Sequence, residues 1–335
     1  MRIYFHIISK IWYTCSIGIG GYTLSKLNQL RKTLNDAIIG REKEIDFMII
    51  ALIQGGHVLL ESVPGSGKTM MAKSFAHSFK GKFKRLQFTP DVLPSDVTGI
   101  SYFDPKSQEF IMRPGPVVTN ILLADEINRA TPRTQSSLLE SMEEKQVTID
   151  GETIQLPEPF MVIATQNPVE SQQGTFSLPA AQLDRFLFRI EINYPSFEEE
   201  REILREFSQA PGAVKSLSII EIEDVQQWRS EVRKITVHDD IETYILQIIH
   251  ATRQHPHVEL GLSSRASLAL LHAAQGHAFI KGRSYVIPDD VKLMVAPLST
   301  HRLMLTAEGM LIREPADILR EIIESVQAPV EAMAR

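Results

Sequence analysis

The sequence predicts an α/β fold: a parallel sheet sandwiched between helices, followed by an all-helical domain. Three observations carry that prediction. Short apolar runs at 57–61, 121–125 and 160–165 alternate with helical stretches over the first part of the chain. Such alternation marks a parallel, doubly wound sheet. A glycine-rich loop at 62–69 sits between the first run and a helix. After Pro195 the strand signals vanish, and apolar residues recur at helical spacing instead.

Taken in order, residues 24–37 read as a lead-in helix and 38–42 as a turn into helix 44–54. Strand 57–61 precedes the loop, and helix 70–80 follows it. A short strand lies around Leu86, Gln87 and Phe88. Residues 98–114 carry Tyr102, Phe103, Phe110 and Ile111 with turn residues between them, which reads as an inserted hairpin. Strand 121–125 leads to a helix with clear start signals. Thr131 stands at its N-cap and Pro132 at its first turn, and it runs to about Glu144. In 145–158, Asp150-Gly151 lies between alternating apolar residues, a strong hairpin signal. Strands 160–165 and 186–192 complete the sheet. Both hairpins are more than the connections require. Helices follow at 239–253, 265–280, 288–298 and 315–325, the first with Ile241, Tyr244, Ile245 and Ile248 on one stripe. The expected division is an N-terminal extension at 1–23, an αβα domain at 24–208 and a helical domain at 209–335.

The chain has 335 residues, 43% of them hydrophobic and 23% charged, ordinary values for a globular protein with one large or two medium domains. A net charge of −6 supplies no global basic field, so no nucleic-acid partner is expected. Cys15 is the only cysteine, which excludes an intrachain disulfide and a cysteine zinc cluster. A reducing, cytoplasmic setting is expected. Residues 3–21 are apolar and aromatic but interrupted by His6 and Lys10, marginal for a membrane span. They read as an upstream extension, with a weak membrane anchor as the alternative.

The chemistry lies in two motifs. Ser62, Val63, Pro64, Gly65, Ser66, Gly67, Lys68 and Thr69 follow a buried strand and open a helix, the context a phosphate-binding loop requires. Backbone N–H groups and a helix N-terminus face the phosphates in such a loop. Lys68 should reach the β- and γ-phosphates, and the Thr69 hydroxyl should ligate Mg²⁺. Ser62 stands where the usual pattern has glycine, and it would be strained if that position needed a positive φ. The second motif is an apolar strand ending in Asp125 and Glu126. One acid can hold Mg²⁺ through water while the other polarises the attacking water. Together the motifs imply binding and hydrolysis of a nucleoside triphosphate, with ATP and Mg²⁺ as the expected cofactors.

Further motifs resemble a known family. Gln87-Phe88-Thr89-Pro90-Asp91-Val92-Leu93-Pro94-Ser95-Asp96, Leu123-Ala124-Asp125-Glu126-Ile127-Asn128-Arg129-Ala130, Ala164-Thr165-Gln166-Asn167-Pro168 and Leu183-Asp184-Arg185-Phe186 are similar to segments of the AAA+ ATPases of the MoxR family. The resemblance spans about 24–335. It implies a P-loop AAA+ core with an all-α lid. Asn167 would be the sensor-1 residue that orients the lytic water. Arg185 would be an arginine finger supplied to a neighbouring subunit, and Arg265 the sensor-2 residue of the lid. Ile39 and Gly40 would lie in the segment that packs on adenine. The two hairpins would face the pore of a hexameric ring. Tyr102, Phe103 and Phe110 would contact a client there, unless they fill a small core of their own. The resemblance also implies a homo-oligomer with a chaperone-like role in maturing protein complexes. The protein client would often carry a von Willebrand factor A domain.

Two rival classes are a nucleic-acid-stimulated motor and a nucleotide-gated scaffold that does not hydrolyse. The acidic charge opposes the first. The intact set Glu126, Asn167, Arg185 and Arg265 opposes the second. His255 and His257 flank Pro256 without a third ligand at metal spacing and read as a solvated loop. The charged run 198–206 reads as a solvated helix face.

Overall fold

The computed structural model describes residues 21–63, 65–167, 175–209 and 219–329. Most of the N-terminal extension lies outside them. Helices α1 (Gly21–Ala37) and α2 (Glu42–Gln54) lead into β1 (Val58–Ser62), the glycine loop and α3 (Lys68–His77). Then come β2 (Phe83–Gln87), the short α4 (Pro94–Thr98) and the hairpin β3 (Gly99–Asp104) and β4 (Glu109–Pro114). Next are β5 (Ile121–Asp125), a 3₁₀ turn (Ile127–Arg129) and α5 (Pro132–Glu144). A second hairpin, β6 (Gln146–Ile149) and β7 (Glu152–Gln155), precedes β8 (Met161–Gln166). The sheet ends with α6 (Ala180–Leu183) and β9 (Phe188–Ile192), and α7 (Phe197–Gln209) follows.

The five central strands pair in the order β2-β5-β8-β1-β9, all parallel. The edge strands β2 and β9 carry charged residues, whereas burial on both faces explains why the central β1, β5 and β8 read as apolar runs. Their side chains still sort by parity. Val58, Leu60, Leu123 and Ile163 join one core with α2 and α3. Leu59, Leu122, Val162 and Ala164 join another with Leu138, Leu139 and Met142 of α5. Each fully buried Leu, Ile or Phe contributes about 1.5–3 kcal/mol. Thr131 caps α5 by accepting from the Thr134 N–H at 3.4 Å, with Pro132 in the first turn, as its sequence predicts. Asp150 and Gly151, at φ 48° and 88°, turn the second hairpin.

The C-terminal helices are α8 (Ile222–Val232), α9 (Asp239–Gln254), α10 (Ser264–Ile280), α11 (Pro288–Ser299), α12 (Ala307–Ile312) and α13 (Pro315–Ser325). One departure from expectation lies here. β10 (Val258–Leu260) and β11 (Met304–Leu305) form an antiparallel pair between α9 and α12. Strands of three and two residues hold no readable period, so pairing across the domain makes them strands.

The first hairpin stands out from the sheet. Phe103 and Phe110 meet edge-on with centroids 5.5 Å apart. Tyr102, Phe103 and Phe110 nevertheless remain 45%, 51% and 74% exposed, so they do not form a core of their own.

Candidate nucleotide site

Because the sheet is parallel, β1, β5 and β8 deliver their carboxyl ends to one edge, where ligands of open α/β sheets bind. The glycine loop leaves β1 there. Gly65 and Gly67 have φ of 81° and 85°, and Gly67 caps α3 in that left-handed conformation. A Cβ built on either glycine meets no atom, so they serve the backbone path rather than packing. Lys68 and Thr69 are the first residues of α3. Ser62 closes β1 in register with Ile192 and is extended, so serine in the place of the first glycine causes no strain. The hydroxyls of Ser62 and Ser66 are buried without a hydrogen-bond partner among the described residues. Such orphaned groups in a helix-opening loop fit an incoming polyanion. Pro64 lies outside the described residues.

Asp125 is the last residue of β5 and is buried. Its Oδ1 accepts from the Thr165 hydroxyl at 2.6 Å, and its Oδ2 from Arg85 Nη2 at 2.7 Å. Glu126 leaves the strand in a left-handed conformation, φ 58° and ψ 47°. Its N–H donates to Thr165 Oγ1 at 2.9 Å, and its carboxylate pairs with Arg129 at 3.0 Å. Asn167 follows β8 and is buried, and its carbonyl accepts from Asn128 Nδ2 at 3.4 Å. Asp125, Thr165 and Arg85 share the strand parity of Leu123 and Ile163, hence the sheet face that α3 covers. The Thr69 hydroxyl and the Asp125 carboxylate are hard oxygen donors of the kind that hold Mg²⁺ together with substrate phosphates. No group of three or more His, Cys, Asp or Glu side chains forms a metal cluster among the described residues, and His255 and His257 fall under that statement.

A cleft of about 470 Å³ adjoins the loop, lined by Ser62, Val63, Arg189, Tyr194, Thr300 and Pro315 among others. It lies between the end of the sheet and the helical domain. The Ile39–Gly40 turn reaches its rim: Arg41 donates to the carbonyl of Asn193, a wall residue, at 2.5 Å. Gly40 has φ 70°, and a Cβ there would strike the Glu199 side chain at 2.1 Å. Beneath the loop, the Glu61 carboxylate is buried and takes the Arg189 guanidinium at 2.6 Å and the Gln166 amide. The sequence carries no local sign of that cross-strand triad.

The two other predicted arginines lie elsewhere. Arg185 Nε pairs with Glu143 at 2.8 Å, and Arg265 Nη2 pairs with the same carboxylate at 3.1 Å. Glu143 lies in the last turn of α5, which runs back from the carboxyl edge of the sheet. Arg185 precedes β9, whose Phe188 is level with Val58 at the amino end of β1. The length of β1, five residues at about 3.3 Å each, therefore separates both arginines from the glycine loop of their own chain. Arg302 ties that region to the helical domain, with Nε on Asp184 Oδ1 at 2.6 Å and Nη2 on the Phe186 carbonyl at 2.8 Å.

A phosphate-type loop after the first strand, an Asp-Glu pair at the end of another and a helical lid define an ATPase of the AAA class. Residues 57–188 match the model of the ATPase family associated with various cellular activities (AAA), and residues 250–322 match that of the AAA lid domain. The uncharacterized protein YeaC of Bacillus subtilis is 48% identical over 303 residues, which cover 90% of this chain and 94% of YeaC. Chaperone MoxR1 of Mycobacterium tuberculosis is 40% identical over 302 residues, covering 87% of this chain and 79% of MoxR1. The crystal structure of a proposed ATPase from Cytophaga hutchinsonii superposes with a TM-score of 0.85 at 36% identity, covering 92% of this chain and 96% of that one. The chain belongs to the MoxR family of AAA+ ATPases.

Proposed function

We propose that this chain hydrolyses ATP to ADP and phosphate at the carboxyl edge of its sheet. The observation that supports this most is the Asp125–Glu126 pair, set by Thr165 on the edge from which the glycine loop departs. The loop N–H groups and Lys68 hold the phosphates. Thr69 and Asp125 would hold Mg²⁺, which supplies neutralisation of phosphate charge when bound. Glu126 accepts the proton of the attacking water, and Asn167 orients that water. The Glu126 carboxylate must first leave Arg129. The base occupies the cleft beside Ile39 and Gly40.

The ATP site is completed by a neighbour. Arg185 and Arg265 stand a strand length from their own loop, so a head-to-tail copy brings them to the phosphates; repeated to closure, that contact makes a ring, which the family resemblance makes a hexamer. The exposed aromatics of the first hairpin then face a protein client. Work on that client is a chaperone-like role in maturing or assembling protein complexes, with a von Willebrand factor A domain protein as a fitting partner. The setting is the cytoplasm. Among the described residues, no helix is long and apolar enough to cross a membrane.

Glu126→Gln removes the base while leaving the phosphate contacts. This variant should retain ATP without turning it over and co-purify with its client. Turnover equal to the parent would overturn the assignment.

A further inference from the structure

Thr165 touches neither phosphate nor water in the chemistry above, yet its side chain is tied to both carboxylate residues. It is fully buried near the end of β8. Its hydroxyl donates to Asp125 Oδ1 at 2.6 Å and accepts from the Glu126 N–H at 2.9 Å. One oxygen thus joins the side chain of the cation-holding acid to the backbone of the base. Both bonds satisfy groups that burial would otherwise leave costly, and the one to the carboxylate is charge-assisted.

The backbone at Glu126 gives these bonds their meaning. A non-glycine residue at φ 58° is strained, and such strain persists only where its surroundings hold it. The N–H caught by Thr165 belongs to that residue. On the far side of Asp125, the Arg85 guanidinium takes Oδ2 with Nη2 at 2.7 Å and Nε at 3.2 Å. The carboxylate is therefore fixed from two strands, β2 and β8, and its orientation is set before any cation arrives. A valine would suit a buried central strand equally well in shape and β-propensity, so packing does not call for the hydroxyl.

We propose that Thr165 is a positioning residue for ATP hydrolysis: its hydroxyl clamps the Asp125 carboxylate and the strained backbone of Glu126 in one geometry. The inference rests on the nucleotide reading given above. Lost, the clamp loosens both the cation site and the base, while the glycine loop stays intact.

The test compares Thr165→Val and Thr165→Ser with the parent in the full chain. Binding of a fluorescent ATP analogue in excess EDTA should agree within about twofold for all three, since the phosphate loop is untouched. In a Mg²⁺ titration, the Mg²⁺ concentration that gives the half-maximal change in analogue binding should rise severalfold in Thr165→Val. Its kcat should fall about tenfold or more, the loss expected for one charge-assisted hydrogen bond, with KM for ATP little changed. Thr165→Ser should restore both values to within about threefold. A Thr165→Val protein with parental kcat and Mg²⁺ dependence overturns the inference, as does a Thr165→Ser protein as impaired as the valine. A parent that neither binds the analogue nor turns over ATP defeats the nucleotide reading itself, and this inference with it.

Discussion

Arg185 lies too far from its own loop to act there, and the structure allows that to be turned into a measurement. Phe188 is level with Val58, whereas the loop leaves β1 after Ser62. The five residues of β1 span roughly 15 Å, well beyond the reach of one arginine side chain. An arginine supplied to a transferring phosphoryl group is worth roughly 10³-fold in rate. Arg185→Ala and Lys68→Ala should therefore each be nearly inactive alone. Mixed in equal amounts and allowed to exchange, some contacts will pair an intact Lys68 loop from one variant with an intact Arg185 from the other. Random assembly of head-to-tail contacts makes about a quarter of them competent, so ATPase activity should recover to about that fraction of the parent. Phosphate release during a titration of one variant into the other is the assay, with size-exclusion chromatography confirming co-assembly. Co-assembled mixtures that stay as inactive as their parts would refute the trans reading. So would Arg185→Ala protein with full activity at high dilution.

Two other outcomes are expected. Gly67→Ala adds a Cβ that meets no atom, so its cost is the left-handed φ of 85°, about 1–2 kcal/mol in urea unfolding. ATP affinity should fall further than that, because the loop N–H groups turn away, and unchanged affinity would remove the loop from the site. His57 governs acid stability: its Nδ1 accepts from the Val162 N–H at 3.0 Å, which leaves the proton on Nε2 beside the Met142 carbonyl. Burial, partly opposed by that carbonyl, pushes its pKa down from 6.5 to about 4. Between those values the unfolded chain binds a proton that the native chain does not. Stability is then fully present above pH 6.5 and falls as the pH drops towards 4, by roughly 3 kcal/mol. Urea midpoints measured from pH 7 to pH 4 should fall less steeply for His57→Asn, and an identical slope would exclude His57 as a source.

What could be read from the sequence was what neighbouring residues decide together. Strand 121–125, the Thr131-Pro132 helix start and the Asp150-Gly151 turn depend on spans of a few residues, and all three stand as expected. The glycine loop and Asp125-Glu126 are contiguous motifs for the same reason. Thr165 sits within a segment that the sequence already marks and Arg85 just before one, but their role depends on strand register. Thr165 meets Asp125 across 40 residues of chain, and Arg85 meets it across another 40. Glu143 reads as one charge among several at a helix end until the fold brings Arg185 and Arg265 to it. The left-handed turn at Glu126 has no local signature either, since glutamate has no preference for it.

The same contrast between local and distant contacts decides what can move when nucleotide turns over. The larger core runs unbroken from α1 and α2 through one sheet face into α8, α9, α10, α11 and α13. Packing there is close: a Cβ on Gly276 of α10 would come within 2.8 Å of Ile50 on α2. Separating such layers exposes apolar surface at about 25 cal/mol for each Å², several kcal/mol for even a few hundred Å². The Glu143 pairs are different in kind. Arg185 and Arg265 are 28% and 59% exposed at their side chains, and ion pairs of that sort are worth about 0–1 kcal/mol each. Arg302, buried against Asp184 and the Phe186 carbonyl, fastens the Arg185 loop to the helical domain. The weak contacts are therefore the two guanidinium pairs at Glu143, whereas the Arg185 loop itself is held to α5 through Phe186, fully buried with Leu138 and Leu139. A guanidinium can leave Glu143 for a neighbour's phosphate at little cost, whereas peeling α10 from α2 would consume much of the stability of the chain. Change driven by nucleotide should follow the first path, starting with the two arginine side chains.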